Sequence, residues 1–214
     1  RIVTFLENKY YKFLGLNLTI ETLDGLIKHN GPVKNTKKFD KILKMQLFKK
    51  KIIFNNFPSL EAQVASISDD IAYNNHDLED GLRAGLFTID KLNAIPLIKN
   101  LINKEIKNKK KYRREIIVNQ IVRKLINEMV LDVIKNTQKN LKRIKPHSLN
   151  DIYKQKSNIV KFSPKMKEFD KQIKNFLKKN MYDHKNVIVN TNKGKVIIKD
   201  LFKFLVKNPF KHID

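Results

Sequence analysis

The amino-acid sequence predicts an all-α protein. Apolar residues recur every three or four positions along several stretches, which is the period of amphipathic helices. Short polar segments rich in Gly, Pro or Asn separate these stretches. Residues 187–189 are the one run that resembles a strand, and they are too few to imply a sheet. With 41% hydrophobic residues and 13 Phe among 214 residues, the chain has the apolar side chains that a core needs.

The first helices are predicted from their start and stop signals. Residues 1–14 carry apolar side chains at helical spacing. Thr19 is a predicted N-cap, because its hydroxyl can accept a hydrogen bond from a free N–H of the first turn. The helix after it is expected to run to about His29, before the Asn-Gly-Pro turn at 30–32.

The next helix is predicted to have two different faces. It should start after Pro58-Ser59 and run from about Leu60 to Asn75 or beyond, and Asp80-Gly81 is expected to break or bend it. Positions four residues apart stack on one side of a helix. Two such rows lie on opposite sides: an apolar core row of Leu60, Val64, Ile67 and Ile71, and an exposed row of Asp69, Tyr73 and Asp77.

The rest of the chain is also predicted to be helical. A short helix near 88–104 and a long periodic stretch over 113–138 are separated by a Lys-rich link at 104–112. Further along, Ser-Pro signals the start of a helix that reaches about Tyr182. A polar link that contains Gly194 is expected before the last helix.

The charge balance invites a nucleic-acid interpretation. Lys and Arg number 45 against 21 acidic residues, which gives a formal net charge of +24. Interfaces that read bases favour Arg, but only six of these 45 cations are Arg, and Lys is spread over nearly every segment. A biased composition therefore explains the charge better than a dedicated polyanion site, although such a surface is expected to bind nucleic acid weakly at low salt.

Several classes of protein are excluded or disfavoured. The absence of Cys excludes disulfides, thiolate metal sites and a cysteine nucleophile. No apolar run reaches the length of about 18 residues that a membrane span needs. Without an export signal, the expected location is the cytoplasm. A chain that begins at Arg1, inside an amphipathic pattern, is expected to be a fragment.

One acidic cluster stands out in this basic chain. It runs from Ser68 to Asp77 and is extended by Glu79 and Asp80. Carboxylate oxygens suit hard divalent cations, and an imidazole such as that of His76 suits transition metals. One helix face offers only one or two ligands, so the residues taken alone favour a solvated acidic face over a metal site.

The same stretch resembles a known family. Residues 60–65 and 69–86, together with 15–32 and the C-terminal residues 176–202, closely resemble the bacterial deoxyguanosine triphosphate triphosphohydrolase-like family. The matches are collinear and cover nearly the whole chain. The resemblance implies part of an HD-domain-type helical bundle over 1–104, followed by a helical phosphohydrolase-associated region over 105–214.

The resemblance also implies a metal site. In this family a His, a His-Asp pair and a final distant Asp hold the metal, and Asp69 matches that final Asp. Tyr73 and Asp77 match positions that line the nucleotide pocket. The His and the His-Asp pair belong to family segments that precede the equivalent of Arg1. His29 could approach the site, but a role at the helix end explains it as well.

The implied activity is the metal-dependent hydrolysis of deoxynucleoside triphosphates, such as dGTP, to deoxynucleoside and triphosphate. The implied cofactor is Mg²⁺, Mn²⁺ or another transition metal, and related proteins form homo-oligomers. Arg83, Arg114 and Arg123 are candidate phosphate contacts that no family motif aligns, and a solvated surface role is favoured for each of them. Because the other ligands are missing, this chain alone is expected to be inactive. The alternative is a basic helical module that binds nucleic acid or nucleotide without hydrolysis.

Overall fold

The computed structural model of the chain describes residues 2–34, 52–105 and 112–207. Within these ranges all regular elements are helical, which confirms the predicted all-α class. A π-helical turn at Ile2–Leu6, a 3-10 helix at Ile89–Ala94 and a π-helical turn at Lys178–Tyr182 accompany the α-helices. The α-helices of the described residues are α1 (Ile20–Ile27), α2 (Leu60–Arg83), α3 (Pro96–Glu105), α4 (Arg114–Ile144), α5 (Leu149–Tyr153), α6 (Pro164–Leu177) and α7 (Lys185–Lys207).

The chain forms two compact units, and each unit is assembled from two separate segments. The first unit comprises the described residues of Arg1–Tyr73 and Ile126–Met166, and the second those of Asn74–Leu125 and Lys167–Asp214. Helices α2, α4 and α6 each contribute residues to both units. A domain boundary at 104/105 stays a prediction, and residues 106–111 of the Lys-rich link lie outside the described residues.

The segment before α1 does not form the predicted α-helix. Only Ile2–Leu6 is helical, as a single π-helical turn, because the chain then folds back on itself. The N–H of Gly15 donates to the carbonyl of Glu7 at 3.0 Å. Gly15 has a φ of +69°, and a Cβ there would lie 2.5 Å from the carbonyl carbon of Thr4. Glycine therefore permits both the left-handed backbone and the close approach.

Helix α1 begins as predicted and ends two residues early. Thr19 is extended, with a ψ of 161°, and its hydroxyl accepts a hydrogen bond from the N–H of Thr22 at 3.3 Å. The helix stops at Ile27 rather than near His29, with Lys28 as its C-cap. The core beneath it consists of buried Leu23 and Ile52 and the partly buried Val3, Leu18, Ile20, Ile27 and Phe54.

Helix α2 starts after Ser59, whose hydroxyl accepts a hydrogen bond from the N–H of Ala62 at 3.3 Å. The predicted core row of this helix is partly wrong. Val64 is 48% exposed, whereas Gln63, one residue earlier, is buried. Gln63 tolerates burial because both ends of its amide are hydrogen-bonded: Nε2 donates to the carbonyl of Pro58 and Oε1 accepts from two backbone N–H groups. The buried positions of α2 are Gln63, Ile71, Asn74, Asn75, Leu78, Gly81 and Leu82.

The predicted break at Asp80-Gly81 does not occur, and α2 continues to Arg83. A Cβ at Gly81 would lie 2.3 Å from Cε1 of Phe87, so this glycine makes room for an aromatic ring rather than for a turn. Gly85, two residues after Arg83, terminates the helix instead, with a φ of +68°. Hydrogen bonds from Leu86 to the carbonyl of Gly81 at 3.0 Å and from Gly85 to that of Leu82 at 3.3 Å form a Schellman motif.

The periodic helices of the second half are largely as predicted. Helix α4 buries all five residues of its predicted apolar row, which are Ile117, Ile121, Leu125, Met129 and Val133. Helix α6 starts after Ser163, whose hydroxyl accepts from the N–H of Met166 at 3.3 Å and donates to Asp132 at 2.6 Å. It buries Met166, Phe169, Ile173 and Leu177, and its regular α-helical part ends at Leu177.

Helix α7 corrects the prediction of a polar link. It runs without interruption through Gly194 and includes the strand-like residues 187–189. No residue of α7 is buried. In the described residues no helix combines the length and the apolar character that crossing a membrane requires.

Candidate functional site

The first candidate residue, Asp69, lies on an exposed face of α2 within the first unit. Its side chain is 50% exposed, and Nε2 of His29 lies 3.5 Å from its Oδ2. His29 follows the C-cap of α1, and its side chain is 44% exposed. The sequence does not decide whether His29 lies near Asp69 in the fold. The structure brings its imidazole to the carboxylate, and both side chains remain accessible to solvent.

The described residues alone do not complete a metal site. A zinc site needs about four ligands and a magnesium or calcium site about six or more. Among the described residues, no group of three or more His, Cys, Asp or Glu side chains is close enough to hold a metal ion. Asp69 has the chemistry and exposure of one ligand, and its role as a ligand stays a prediction.

Tyr73 lies one helical turn after Asp69 and is 64% exposed. Its phenol therefore faces solvent, where a ligand can reach it. A separate groove of about 380 Å³ lies in the same unit, along α1 and the start of α2, and His29 is one of its lining residues. Gly25 lets the two helices approach closely there, because a Cβ on it would lie 3.0 Å from Cβ of Ala62. The groove has the volume of a small-ligand site.

Asp77, in the second unit, has a partner that sequence reasoning did not identify. The hydroxyl of Tyr182 donates a hydrogen bond to Oδ2 of half-buried Asp77. Partial burial, this hydrogen bond and the negative charge of Asp77 together raise the pKa of Tyr182 to about 12. The phenol is therefore a protonated donor at neutral pH. The two residues are 105 positions apart, so no helical periodicity relates them.

A direct contact also joins α2 to α6 near this pair, and Phe87 links the two helices from beyond the end of α2. The amide of Asn74 donates to Oδ1 of Asp170 at 2.6 Å, one turn before Asp77. Beyond Asp77, the ring of Phe87 packs against Gly81 and meets Phe176 edge to face, with centroids 4.9 Å apart. Helix α6 and the turn after it therefore hold the second half of α2 at three points.

The three candidate phosphate-binding arginines all lie in the second unit and have protein partners. Nη2 of Arg114 donates to the carbonyl of Leu82 at 2.8 Å, which satisfies one of the last carbonyls of α2. Arg123 donates to Gln120 at 2.8 Å. Arg83 is paired with Glu79, with a closest approach of 2.7 Å. A phosphate would compete with these partners, and the three contacts stay predictions.

The chain is similar to known proteins over its whole length. It is 46% identical over 214 residues to a deoxyguanosinetriphosphate triphosphohydrolase-like protein of Pelagibacter ubique, a match that covers 100% of the chain and 58% of the relative. Proteins of the same name from Bartonella tribocorum and Bartonella quintana are 42% and 44% identical, and these matches cover 98% of the chain and 53% of each relative. The chain thus spans somewhat more than half the length of these curated relatives.

A family model agrees with these relatives. Residues 160–214 match the phosphohydrolase-associated domain. This match contains α6, Tyr182 and α7. It begins just before α6, so the residues that contact the second half of α2 are part of the matched segment. The match agrees with the C-terminal extension that the sequence predicted and, with the helical elements, with the predicted HD-type all-α class.

Proposed function

We propose that this chain belongs to the deoxyguanosinetriphosphate triphosphohydrolase-like family, to whose members it is similar over its whole length. We propose further that the protein carrying it hydrolyses deoxynucleoside triphosphates. Water adds to the α-phosphorus, and the bond from that phosphorus to the 5′-oxygen breaks. The products are inorganic triphosphate and a deoxynucleoside, whose 5′-oxygen takes up a proton. The observation that carries the proposal is the whole-length similarity to proteins of this name. The row of Asp69, Tyr73 and Asp77 on consecutive turns of α2 supports it.

The reaction is proposed to depend on a divalent metal ion, with Asp69 as one ligand. A bound divalent ion polarises a phosphoryl oxygen and lowers the pKa of bound water. The half-exposed carboxylate of Asp69 is accessible to such an ion. The other ligands would be the His and the His-Asp pair that the family resemblance implies, since the described residues hold no complete set.

Tyr73 and Asp77 are proposed to bind the nucleotide. The positions of Asp69, Tyr73 and Asp77 are each separated by about 6 Å along the helix axis. In this proposal Asp69 acts on the phosphates through the metal ion, and Asp77 contacts the sugar. The exposed phenol of Tyr73 can donate to a phosphate or sugar oxygen. The carboxylate of Asp77 can accept a hydrogen bond from the sugar hydroxyl.

Triphosphate release is the direct test. The full-length protein, at the length of its relatives, is incubated with the four deoxynucleoside triphosphates and Mn²⁺ or Mg²⁺. Asp69→Ala is expected to lower kcat/KM by roughly 100-fold or more, because it removes a metal ligand. Asp200→Ala, which removes an exposed acid on α7, is the matched control and should leave activity unchanged.

Two results would count against the proposal. A full-length protein that releases no triphosphate would refute the activity, and full activity in Asp69→Ala would refute the role of Asp69. The 214-residue chain is tested beside them and is expected to be inactive alone. Nucleotide binding without hydrolysis would instead favour a basic helical module that binds nucleotide or nucleic acid.

A further inference from the structure

We infer that Tyr182 is a positioning residue for Asp77, which it orients to accept the 3′-hydroxyl of a deoxynucleotide. The inference rests on the proposed function, in which Asp77 contacts the sugar. A deoxynucleoside triphosphate carries no 2′-hydroxyl, and its 5′-oxygen is esterified. The 3′-hydroxyl is therefore the one free hydroxyl on the sugar, and the orientation of Asp77 would decide how well it is recognised.

The geometry of the contact supports this role. The carboxylate of an Asp side chain rotates with only a broad, two-fold preference about its last torsion. The Tyr182 hydroxyl donates to Oδ2 of Asp77 and so restrains that rotation. A phenol keeps its proton at every pH near neutrality, and burial and the carboxylate extend that range by raising the pKa of Tyr182 to about 12.

Tyr182 is itself held in a well-bonded turn. It closes the π-helical turn Lys178–Tyr182, in which the N–H of Asp183 donates to the carbonyl of Lys178 at 2.9 Å. The side chains of the same two residues form an ion pair at 2.9 Å. The amide of Asn180 donates to the carbonyl of Phe176 at 2.9 Å. The backbone that carries Tyr182 is therefore fixed to the end of α6.

The packing of α2 against α6 does not depend on the phenol hydroxyl. The hydrogen bond from Asn74 to Asp170 precedes Asp77 by one turn, and the Phe87–Phe176 pair lies beyond it. Removing only the Tyr182 oxygen should leave both contacts in place. Tyr182→Phe should therefore alter the orientation of Asp77 while changing the surrounding helices little.

The test measures how the full-length protein discriminates between two substrates. These are the deoxynucleoside triphosphate that it hydrolyses fastest and the 2′,3′-dideoxy counterpart, which lacks the 3′-hydroxyl. The ratio of their kcat/KM values is compared in the unmodified protein, Asp77→Ala, Tyr182→Phe and the double variant. Tyr112→Phe, which alters an exposed tyrosine of the same unit, is the matched control.

The unmodified protein is expected to favour the 3′-hydroxyl substrate, and Asp77→Ala should remove most of that preference. Tyr182→Phe should lower the ratio by about threefold to tenfold, the effect of losing one hydrogen bond of about 1 kcal/mol. The double variant should be no worse than Asp77→Ala alone, because Tyr182 acts through Asp77. Tyr112→Phe should leave the ratio unchanged. Tyr182→Phe should still unfold in a single cooperative urea transition, which would show that its lower ratio does not come from loss of the fold.

The possible failures are distinguishable. If no deoxynucleoside triphosphate is hydrolysed by the full-length protein, the proposed function falls and this inference falls with it. If hydrolysis occurs and Asp77→Ala lowers the ratio while Tyr182→Phe does not, only the inference is overturned. An additive double variant would also overturn it, since Tyr182 would then act independently of Asp77.

Discussion

The side-chain amide of Asn74 donates a hydrogen bond of 2.6 Å to the carboxylate of Asp170, and so joins α2 to α6 across 96 positions of sequence. Asn74 is only 5% exposed. Asp170 also pairs with Lys174 at 3.0 Å, one turn further along α6. The carboxylate is thus held between a buried amide on one helix and an ammonium group on its own helix.

Asn74→Ala is expected to destabilise the protein by about 1–3 kcal/mol, because it leaves a partly buried carboxylate without its amide donor. The free energy of unfolding, measured in urea, tests this. Asn190→Ala changes an exposed Asn on α7 and serves as the control, with an expected change within about 0.5 kcal/mol. Equal stability of the two variants would show that the Asn74–Asp170 bond contributes nothing measurable.

Two glycines inside helices are predicted to respond in opposite directions. Gly81→Ala should destabilise by about 1–3 kcal/mol, because the new Cβ would lie 2.3 Å from the ring of Phe87 and force it to move. A Cβ at Gly194 would have no heavy atom within 4 Å. Gly194→Ala should therefore stabilise the protein by about 0.5–1 kcal/mol, because Ala favours the helix more than Gly does. Thermal unfolding of both variants checks the signs, and a destabilised Gly194→Ala would contradict the open surroundings of that site.

The sequence predicts the helices of this protein better than the surroundings of its glycines. The five apolar residues of α4 recur every four positions, and all five are buried. Gly81 looked like a helix break because glycine is a poor helix former, but its reason is the ring of Phe87. That ring reaches it from beyond the end of the same helix, and no local pattern encodes such a contact. The same property of glycine predicts a link at Gly194, although α7 runs through it.

Gln63→Leu is expected to destabilise the protein by several kcal/mol, at about 1–3 kcal/mol for each group left unsatisfied. Its amide is buried and bonds three backbone groups, those of Pro58, Ile159 and Val160. A Leu side chain of similar size would keep the packing but leave these groups without partners. Val64→Ala, at the exposed neighbouring position, is the control and should change the urea midpoint little. Similar midpoints for both variants would refute the role of the amide.

The candidate site shows the same division between local and long-range information. The row of Asp69, Tyr73 and Asp77 follows from helical periodicity, because all three lie on α2. The approach of His29 to Asp69 at 3.5 Å and the contact of Tyr182 with Asp77 depend on how separate helices pack. A helical wheel shows the residues of one helix only, so it cannot reveal a contacting residue on another helix. The family resemblance includes Tyr182 among its matched residues but implies no role for it.

The tyrosinate of Tyr182 is expected to form near pH 12, about two pH units above the ordinary value of 10.0. Because the folded-state pKa is raised, the stabilisation linked to the neutral phenol is complete below pH 10 and is lost as pH rises towards 12. Asp77→Asn removes the negative charge and should move the pKa of Tyr182 down, although partial burial keeps it above the ordinary value. Ultraviolet absorbance after rapid pH jumps, with the Tyr182→Phe signal subtracted, follows this single group. Titration of Tyr182 near pH 10 in the unmodified protein would mean that its hydroxyl does not donate to Asp77 in solution.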